Sequence, residues 1–258
     1  MIPFNTTKHR AVESEDGSYT AYSKEYDEHY HSTKDGALNE SLYKHVIPAF
    51  KLTQHKKSLA ILDICYGLGF NTLATILYYK KHAADKKLTI SSPELDADLI
   101  YSLKDFIYPK EFEGLCEIIK ALSERQIYED EGLKIELFLG DAREYVKKFE
   151  NHFDIVYQDA FSPSVNPVLW TKEYFYAIKK AMRKDAVLTT YSTALKTRLA
   201  LHENNFFIYL NEGEHFRNAT LASCQKIQGY KVVDMAHKIS CNPNVKALSD
   251  AELGVDYR

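Results

Sequence analysis

The sequence predicts an α/β protein built on a doubly wound, mostly parallel sheet. Short apolar runs recur along the chain, helical patterns separate them, and polar or glycine-containing turns follow them. The first core run, residues 59–62, leads into Asp63-Ile-Cys-Tyr-Gly-Leu-Gly-Phe-Asn71, and an apolar-periodic segment follows at 72–79. This order is typical of a strand, a glycine turn and a helix.

The residues before this strand predict an N-terminal extension. Residues 1–35 are polar and rich in tyrosine, and short alternations at 18–22 and 29–32 predict a hairpin. An amphipathic helix is predicted at 39–50. We therefore expect residues 1–57 to pack on a core that begins at about residue 58.

The rest of the chain continues the alternation of strands and helices. The predicted elements are strands at 88–92, 133–139, 153–158, 186–191, 206–210 and 219–224, and helices at 171–182 and 195–203. A mostly helical insertion at about 95–132 would form a lid or a substrate wall. Since the periodicity fades after 225, we expect a core domain at 58–225 and a peripheral tail at 226–258.

Composition excludes several classes of protein. With 258 residues, of which 45% are hydrophobic, the chain can bury a full core as one decorated domain. Its net charge of −3 requires any nucleic-acid site to be a local patch. Four cysteines without metal-ligand spacing predict no metal site and the reduced thiols of a cytoplasmic protein. No signal-peptide pattern or membrane-length apolar window is present in the sequence.

Acidic residues stand where four predicted strands end. Asp63, Glu94, Asp141 and Asp159 each follow an apolar run. The carboxyl ends of parallel strands line one crevice, so we expect these side chains to converge on one ligand. A single such acid is more often a helix cap, but four in register favour a binding site.

The residue types predict how a nucleoside cofactor would be held. The two glycines of the turn let the backbone approach a ligand, and Glu94 would accept hydrogen bonds from both ribose hydroxyls. Asp141 and the backbone of Ala142 would read an adenine edge, and Asp159 would lie near the reacting centre. The predicted cofactor-binding residues are Asp63, Gly67, Gly69, Asn71, Glu94, Asp141, Ala142 and Asp159.

The cofactor that fits this pattern is S-adenosylmethionine. The third glycine of a dinucleotide motif is missing, and the phosphate-loop motif is absent from the sequence. S-adenosylmethionine has no phosphate, and its cationic sulfonium and ammonium groups favour an acidic crevice.

Three stretches resemble the tRNA wobble-uridine methyltransferases of the MnmC/MnmD type. They are the block 63–71, the block Gln158-Asp-Ala-Phe-Ser-Pro with Asn166-Pro-Val-Leu-Trp-Thr171, and His31-Ser-Thr-Lys-Asp-Gly-Ala-Leu-Asn-Glu-Ser41. The resemblance implies a Rossmann-like class I SAM-dependent methyltransferase fold. It also implies methylation of 5-aminomethyl-(2-thio)uridine to the 5-methylaminomethyl form, with the tRNA anticodon loop as partner. A separate FAD oxidase acting upstream would be a further partner.

The sequence also departs from the family pattern. Cys65 stands where the family usually has a glycine, and Asp63 replaces a glutamate. The segment 213–222 lacks the family's usual basic run.

Asp159 is the predicted catalytic residue, since it would orient the substrate amine and accept its proton. Phe161 and Tyr191 would bracket a flipped uracil ring, although both would also suit a core. The predicted substrate-binding residues are Tyr30, Glu40, Phe161, Tyr191, Lys196 and Arg198, the last two as contacts to the anticodon stem.

Other interpretations stay open at this point. A polyamine aminopropyltransferase has a similar strand-end aspartate and proline-bearing loop, and a small-molecule amine N-methyltransferase is also compatible with the pattern. A non-catalytic RNA-binding domain would keep the fold, but it would not need all four acids.

Overall fold

The computed structural model describes residues 4, 7–15, 17–214 and 216–255. A nine-stranded mixed sheet forms the centre, and a separate three-stranded sheet lies in the N-terminal extension. The strands are β1 His9–Glu13, β2 Tyr19–Ser23, β3 Glu28–His29, β4 Ser58–Ile64, β5 Lys87–Glu94, β6 Ile127–Glu129, β7 Leu133–Leu139, β8 Phe153–Gln158, β9 Met182–Thr190, β10 Phe207–Gly213, β11 Phe216–Ser223 and β12 Lys231–Val232.

The helices alternate with these strands along the core. They are α1 Ala37–Glu40, α2 Ile47–Leu52, α3 Phe70–His82, α4 Ala97–Ser102, α5 Cys116–Arg125, α6 Ala142–Val146, α7 Lys172–Ala181, α8 Leu195–Glu203, α9 Met235–Cys241 and α10 Asp250–Leu253. A π-helical segment, Ser41–Val46, joins α1 to α2. Short 3-10 turns lie at Leu103–Asp105, Lys110–Leu115 and Pro167–Trp170.

The central sheet has the order β12-β10-β11-β9-β8-β4-β5-β7-β6. Strands β7, β5, β4, β8 and β9 pair in parallel, whereas β11, β10, β12 and β6 are added through antiparallel pairs. The chain builds outward from β4 in both directions, which creates the switch point where doubly wound sheets bind ligands. The predicted fold class is confirmed.

The central strands are apolar because both of their faces are buried. In β4, Leu59 and Ile61 join one hydrophobic core, while Leu62 and Ile64 join a second core on the other face. Helices α3, α4 and α5 complete the first core, and α6, α7 and α8 complete the second. A strand covered on both sides reads as a continuous apolar run, which is how these strands were predicted.

The N-terminal extension contains more structure than the predicted hairpin. Strand β2 pairs with β1 on one side and with β3 on the other, both antiparallel. The predicted helix at 39–50 is a longer helical run that includes the π-helical segment. The extension thus forms a small sheet followed by a helix against the core.

The segments between and after the core strands also pack on it. The stretch between β5 and β7 contains α4, α5 and the short edge strand β6, which the sequence pattern did not predict. In the C-terminal segment, Met235 and Ala247 are buried in the second core. Arg143 on α6 pairs with Asp250 at 2.5 Å, which ties the start of α10 to the core. Within the described ranges, none of the helices is long and apolar enough to cross a membrane.

Candidate active site

A cavity of about 910 Å³ opens at the carboxyl edge of the parallel strands. The five parallel strands contribute to its walls through residues at or just after their carboxyl ends, namely Cys65, Glu94, Asp141, Asp159 and Tyr191. The cavity therefore lies at the switch point of the sheet, where the strand-end acids were expected to meet.

The glycine turn after β4 depends on left-handed backbone conformations. Gly67 has φ +54° and Gly69 has φ +79°. A Cβ on Gly69 would lie 2.6 Å from the Tyr66 hydroxyl, and one on Gly67 would lie 3.1 Å from the Tyr30 ring. Cys65 also has a positive φ, +63°, which a side chain with a Cβ rarely adopts. This explains why a glycine would suit the position of Cys65.

Glu94 is fixed at the cavity wall by two backbone donors. The Gly67 N–H donates to Oε2 and the Asp96 N–H to Oε1, each at 2.9 Å. Burial raises the pKa of the Glu94 carboxyl, and these two hydrogen bonds oppose that effect. Each oxygen retains a lone pair, so the carboxyl can also accept hydrogen bonds from a ligand diol.

Asp159 lies at the cavity with both oxygens close to side chains from other elements. Asn71 donates through Nδ2 to Oδ2 at 2.7 Å, and Nε2 of His45 lies 3.6 Å from Oδ1. Burial opposes ionisation, but His45, His31 and the Asn71 hydrogen bond outweigh it, so the pKa of Asp159 lies below its usual range. Asp159 is therefore an ionised acceptor at neutral pH.

Three of the predicted cofactor-binding residues do not line the cavity, and the structure corrects this expectation. Asp63 is fully buried and accepts a hydrogen bond from the Thr72 hydroxyl at 2.8 Å. Asn71 is buried and directs its amide to Asp159, and Gly69 is the turn residue from which α3 begins. The turn directs the side chains of Asp63 and Asn71 into the protein. There the Asn71 amide lies between the carboxyl groups of Asp63 and Asp159.

The remaining predicted cofactor-binding residues line the cavity. They are Gly67, Glu94, Asp141, Ala142 and Asp159. Asp141 also accepts a hydrogen bond from the Arg143 N–H at 2.7 Å, which caps α6. From the sequence, a helix cap and a ligand contact are alternative roles for Asp141. In the structure Asp141 both caps α6 and lines the cavity.

The N-terminal sheet forms the wall opposite the strand ends. Tyr30 packs on Phe161 with ring centroids 4.9 Å apart, and Tyr26 stacks on Phe161 at 4.6 Å. The Glu28 carboxylate accepts hydrogen bonds from the backbone N–H of Ser162, at 3.0 Å, and from its hydroxyl. The loop after β8 is thereby joined to the extension across the cavity.

Glu40 lines the cavity within a network of charged side chains. Its carboxylate accepts a hydrogen bond from the Ser32 N–H at 2.9 Å and pairs with the buried Lys44. Asp35 lies 3.8 Å from Lys44 and 3.3 Å from Arg217. The network orders the segment 31–44, so a structural role is available to Glu40 besides the predicted substrate contact.

The two predicted base-stacking residues, Phe161 and Tyr191, both line the cavity. Tyr191 donates its hydroxyl to the Ala160 carbonyl at 3.0 Å and meets the buried Trp170 edge-on. Trp170 in turn donates to the carbonyl of Phe161 at 2.8 Å. Both aromatic rings are therefore held in place by neighbours.

The predicted RNA contact at Arg198 needs correction. Arg198 is only 5% exposed, and its Nε donates to the Thr220 hydroxyl at 3.0 Å, because it lies on the inner face of α8. Lys196 is exposed but does not line the cavity.

Sequence reasoning missed Lys34 and Arg217, which are exposed cations at the cavity. Arg217 was passed over because its segment lacks a basic run. It also missed His45, because a single histidine within a predicted helix does not indicate a site.

The charges around the cavity fit S-adenosylmethionine. Acidic lining residues outnumber the lysines and arginines, as expected for a cationic ligand. The acids are Glu25, Glu28, Glu40, Glu94, Asp96, Asp141 and Asp159, and the bases are Lys8, Lys34 and Arg217. Across the residues that the structure describes, no group of three or more His, Cys, Asp or Glu side chains is arranged to hold a metal ion.

Comparison with known proteins finds similar sequences. A family model of S-adenosyl-L-methionine-dependent methyltransferases matches residues 113–225. An uncharacterised protein of Methanocaldococcus jannaschii is 35% identical over 204 residues, which are 78% of this chain and 55% of the relative. The tRNA 5-methylaminomethyl-2-thiouridine biosynthesis bifunctional protein MnmC of Azoarcus sp. is 28% identical over 207 residues, which are 75% of this chain and 32% of that protein.

A solved structure matches almost the whole chain. The crystal structure of MnmC2 from Aquifex aeolicus superposes with a TM-score of 0.82 at 28% identity, covering 98% of this chain and 82% of that one. The chain spans about half the length of the Methanocaldococcus relative and about a third of the Azoarcus MnmC protein.

The fold, the acidic cavity and these matches define a SAM-dependent methyltransferase, with S-adenosylmethionine as its cofactor. Within that class, sequence and fold together support an MnmC-type methyltransferase domain.

Proposed function

We propose that the chain methylates the primary amine of 5-aminomethyl-(2-thio)uridine at the tRNA wobble position, giving the 5-methylaminomethyl form. The observation that carries this proposal is the ionised Asp159 at a cavity that also presents Phe161 and Tyr191. An amine joined to a pyrimidine ring needs both a carboxylate acceptor and stacking surfaces. The names of the MnmC relatives support the same acceptor.

Residues of the cavity would hold the cofactor by its nucleoside. Glu94 would accept hydrogen bonds from the ribose hydroxyls, while Asp141 and the backbone of Ala142 would face the adenine. Gly67 presents no Cβ to the ligand and helps to hold Glu94 in place. S-adenosylmethionine, when bound, supplies an electrophilic methyl group.

The main contribution of the chain is to position the amine. Asp159 would accept a hydrogen bond from one N–H of the neutral amine and so direct its single lone pair toward the methyl group. Such positioning contributes about 7–11 kcal/mol in favourable cases. Because the pKa of Asp159 is low, this carboxylate is a weak base, and it orients the amine more than it deprotonates it. Desolvation in the cavity favours the neutral, reactive amine.

Exposed cations around the cavity would guide the RNA. Lys34 and Arg217 line the cavity, and Lys196 lies outside it on α8. In this proposal Lys34 and Arg217 contact phosphates of the anticodon loop, and Lys196 contacts the stem. Each lost phosphate contact reduces the slope of log affinity against log salt by about 0.7–0.9.

The proposal includes a cytoplasmic site of action, where tRNA is available. An FAD oxidase on a separate polypeptide would act before this chain on the same nucleoside. Neither statement is needed for the methyl-transfer chemistry.

The test is incubation with labelled S-adenosylmethionine and tRNA that carries aminomethyluridine, followed by nucleoside analysis. Putrescine is offered as a competing acceptor, and Asp159→Asn serves as the inactive control. We expect label in methylaminomethyluridine with the wild-type protein. Transfer to putrescine alone would favour a small-amine transferase, and absence of transfer to either acceptor would refute the proposal.

A further inference from the structure

His45 is buried behind Asp159, and the function described so far gives it no role beyond lowering the pKa of that carboxyl. Its side chain is 0% exposed and meets the Tyr157 ring edge-on, with centroids 5.6 Å apart. It belongs to the π-helical segment 41–46, a geometry that is rare and is often found at functional sites.

The two ring nitrogens of His45 have different surroundings. Nδ1 lies 2.9 Å from the Thr189 hydroxyl, within hydrogen-bond distance. Nε2 lies 3.6 Å from Oδ1 of Asp159 and has no hydrogen-bond partner, although it is buried. A buried polar atom without a partner is unfavourable and calls for an explanation. Its nearest acidic acceptor is the carboxylate at the cavity.

We infer that His45 is a positioning residue, which donates from Nε2 to Oδ1 of Asp159 when the amine acceptor is bound. In this inference the Thr189 hydroxyl donates to Nδ1, which leaves the ring proton on Nε2. The inference rests on the proposed function, since it assigns His45 to the residue that orients the amine.

The arrangement restrains both oxygens of the carboxylate. Asn71 already donates to Oδ2, and the His45 contact closes by less than 1 Å to hold Oδ1. A carboxylate held at both oxygens cannot rotate, so its free lone pairs keep one direction toward the amine. This matters because a displacement of about 1 Å at a reacting centre costs about 100-fold in rate.

Two substitutions distinguish this role from simple core packing. Glutamine at position 45 places an amide N–H near Nε2, whereas asparagine reaches only the place of Nδ1. We expect His45→Asn to lower kcat about 10- to 100-fold, and His45→Gln to recover most of that loss. The dissociation constant of S-adenosylmethionine should change less than about two-fold in both. His55→Gln, at an exposed histidine far from the cavity, is the control and should behave as wild type.

A packing role would give a different result. In that case His45→Gln and His45→Asn would reduce kcat equally, or would lower the melting temperature and leave kcat unchanged. Either outcome overturns the inference.

The tautomer gives a readout that needs no acceptor. In ¹⁵N-histidine-labelled protein, the ring signals of His45, identified by their loss in His45→Gln, should show the proton on Nε2. A ring protonated only on Nδ1 would overturn the inference. If the wild-type protein methylates putrescine and not tRNA, the proposed function fails, but the tautomer and the kcat series with putrescine still decide the role of His45.

Discussion

Asp159 accepts a hydrogen bond from Asn71 on α3 and lies 3.6 Å from His45 on the π-helical segment, and its charge state determines what it can do. A carboxylate can orient an amine, whereas the isosteric amide places an N–H where an acceptor is needed. We expect Asp159→Asn to lower the methyl-transfer rate about 10²- to 10⁴-fold, the range for a positioned acid–base group. Single-turnover kinetics with excess enzyme measure this rate. An unchanged rate would contradict the role of Asp159.

The pH dependence of transfer follows from the same residue. The pKa of Asp159 lies below its usual range, so the carboxylate stays ionised throughout pH 5 to 8. We therefore expect kcat/KM to rise with pH over this interval as the acceptor amine loses its proton. Titration of Asp159 should cause no further change in kcat/KM between pH 5 and 8. A kcat/KM profile measured at constant ionic strength tests this. A limb near pH 5 that disappears in Asp159→Asn would refute it.

The reactivity of the Cys65 thiol tests the electrostatic environment of the cavity. Burial raises the pKa of Cys65 well above its usual value, and the charges of Glu94 and Asp159 add to the effect. The thiolate is the reactive form, so we expect slow alkylation by iodoacetamide at neutral pH. The exposed Cys116 and Cys241 are internal controls that should react first. Peptide mass spectrometry over time gives the three rates, and equal rates would contradict this account.

Sequence reasoning was most successful for residues whose position follows from strand direction. Glu94 and Asp159 were placed at one cavity because parallel strands end at one edge. Asp63 and Asn71 were misassigned, since side-chain direction in a turn depends on left-handed backbone angles that the residue types do not specify. Arg198 was misassigned because α8 is buried along much of its length, and charge alone does not reveal which face of a helix is inward.

At the scale of elements, an ionic cluster at the opposite end of β8 holds the sheet together. The buried Asp154 accepts hydrogen bonds from Lys56 at 2.7 Å, Arg183 at 3.0 Å and the Ala60 N–H at 2.8 Å. It thereby joins β8 to β4 and to the start of β9. The cluster does not line the cavity, so a substitution there should change stability without changing ligand binding.

We expect Asp154→Ala to reduce the free energy of unfolding by about 1–3 kcal/mol, since it leaves the Ala60 N–H and the partly buried Lys56 without their common acceptor. Chemical denaturation measures the change, and the affinity for S-adenosylmethionine of the folded protein should remain unchanged. Asp185→Ala is the matched control, because this acid also pairs with Lys56 but is 45% exposed. It should cost no more than about 1 kcal/mol. Equal losses would show that burial does not matter here.

Two kinds of element were not predicted from the sequence, each for its own physical reason. Strands β6 and β12 are two or three residues long and mostly exposed, so they carry no apolar run. The π-helical segment differs from an α-helix in hydrogen-bond register, and side-chain periodicity over six residues cannot report that difference. The parallel strands were found because burial on both faces requires apolar residues throughout.

For the whole molecule, Asp63 links folding to pH. Burial raises its pKa to about 8, although the Thr72 hydrogen bond opposes this. The folded protein therefore keeps a proton that the unfolded chain releases near pH 4. The resulting stabilisation is complete below about pH 4 and is lost as pH rises toward 8.

We expect Asp63→Asn to remove this pH dependence, because an amide does not titrate. Denaturation at several pH values from 5 to 8 should show wild-type stability falling more steeply than that of the variant. Asp185→Asn is a useful comparison, since the Lys56 hydrogen bond lowers the pKa of Asp185, which therefore acts only below about pH 4 and should not alter the slope in this range. Identical slopes for wild type and Asp63→Asn would contradict the assignment.

The cavity wall joins residues from distant parts of the chain, from Tyr30 in the first sheet to Arg217 on β11. Contacts between such remote segments form slowly, because the intervening loop must close first. We therefore expect the cavity to be completed late in folding, after the central strands have paired. Recovery of ligand binding during refolding should lag behind recovery of secondary structure, which makes the ligand a reporter of the finished tertiary structure.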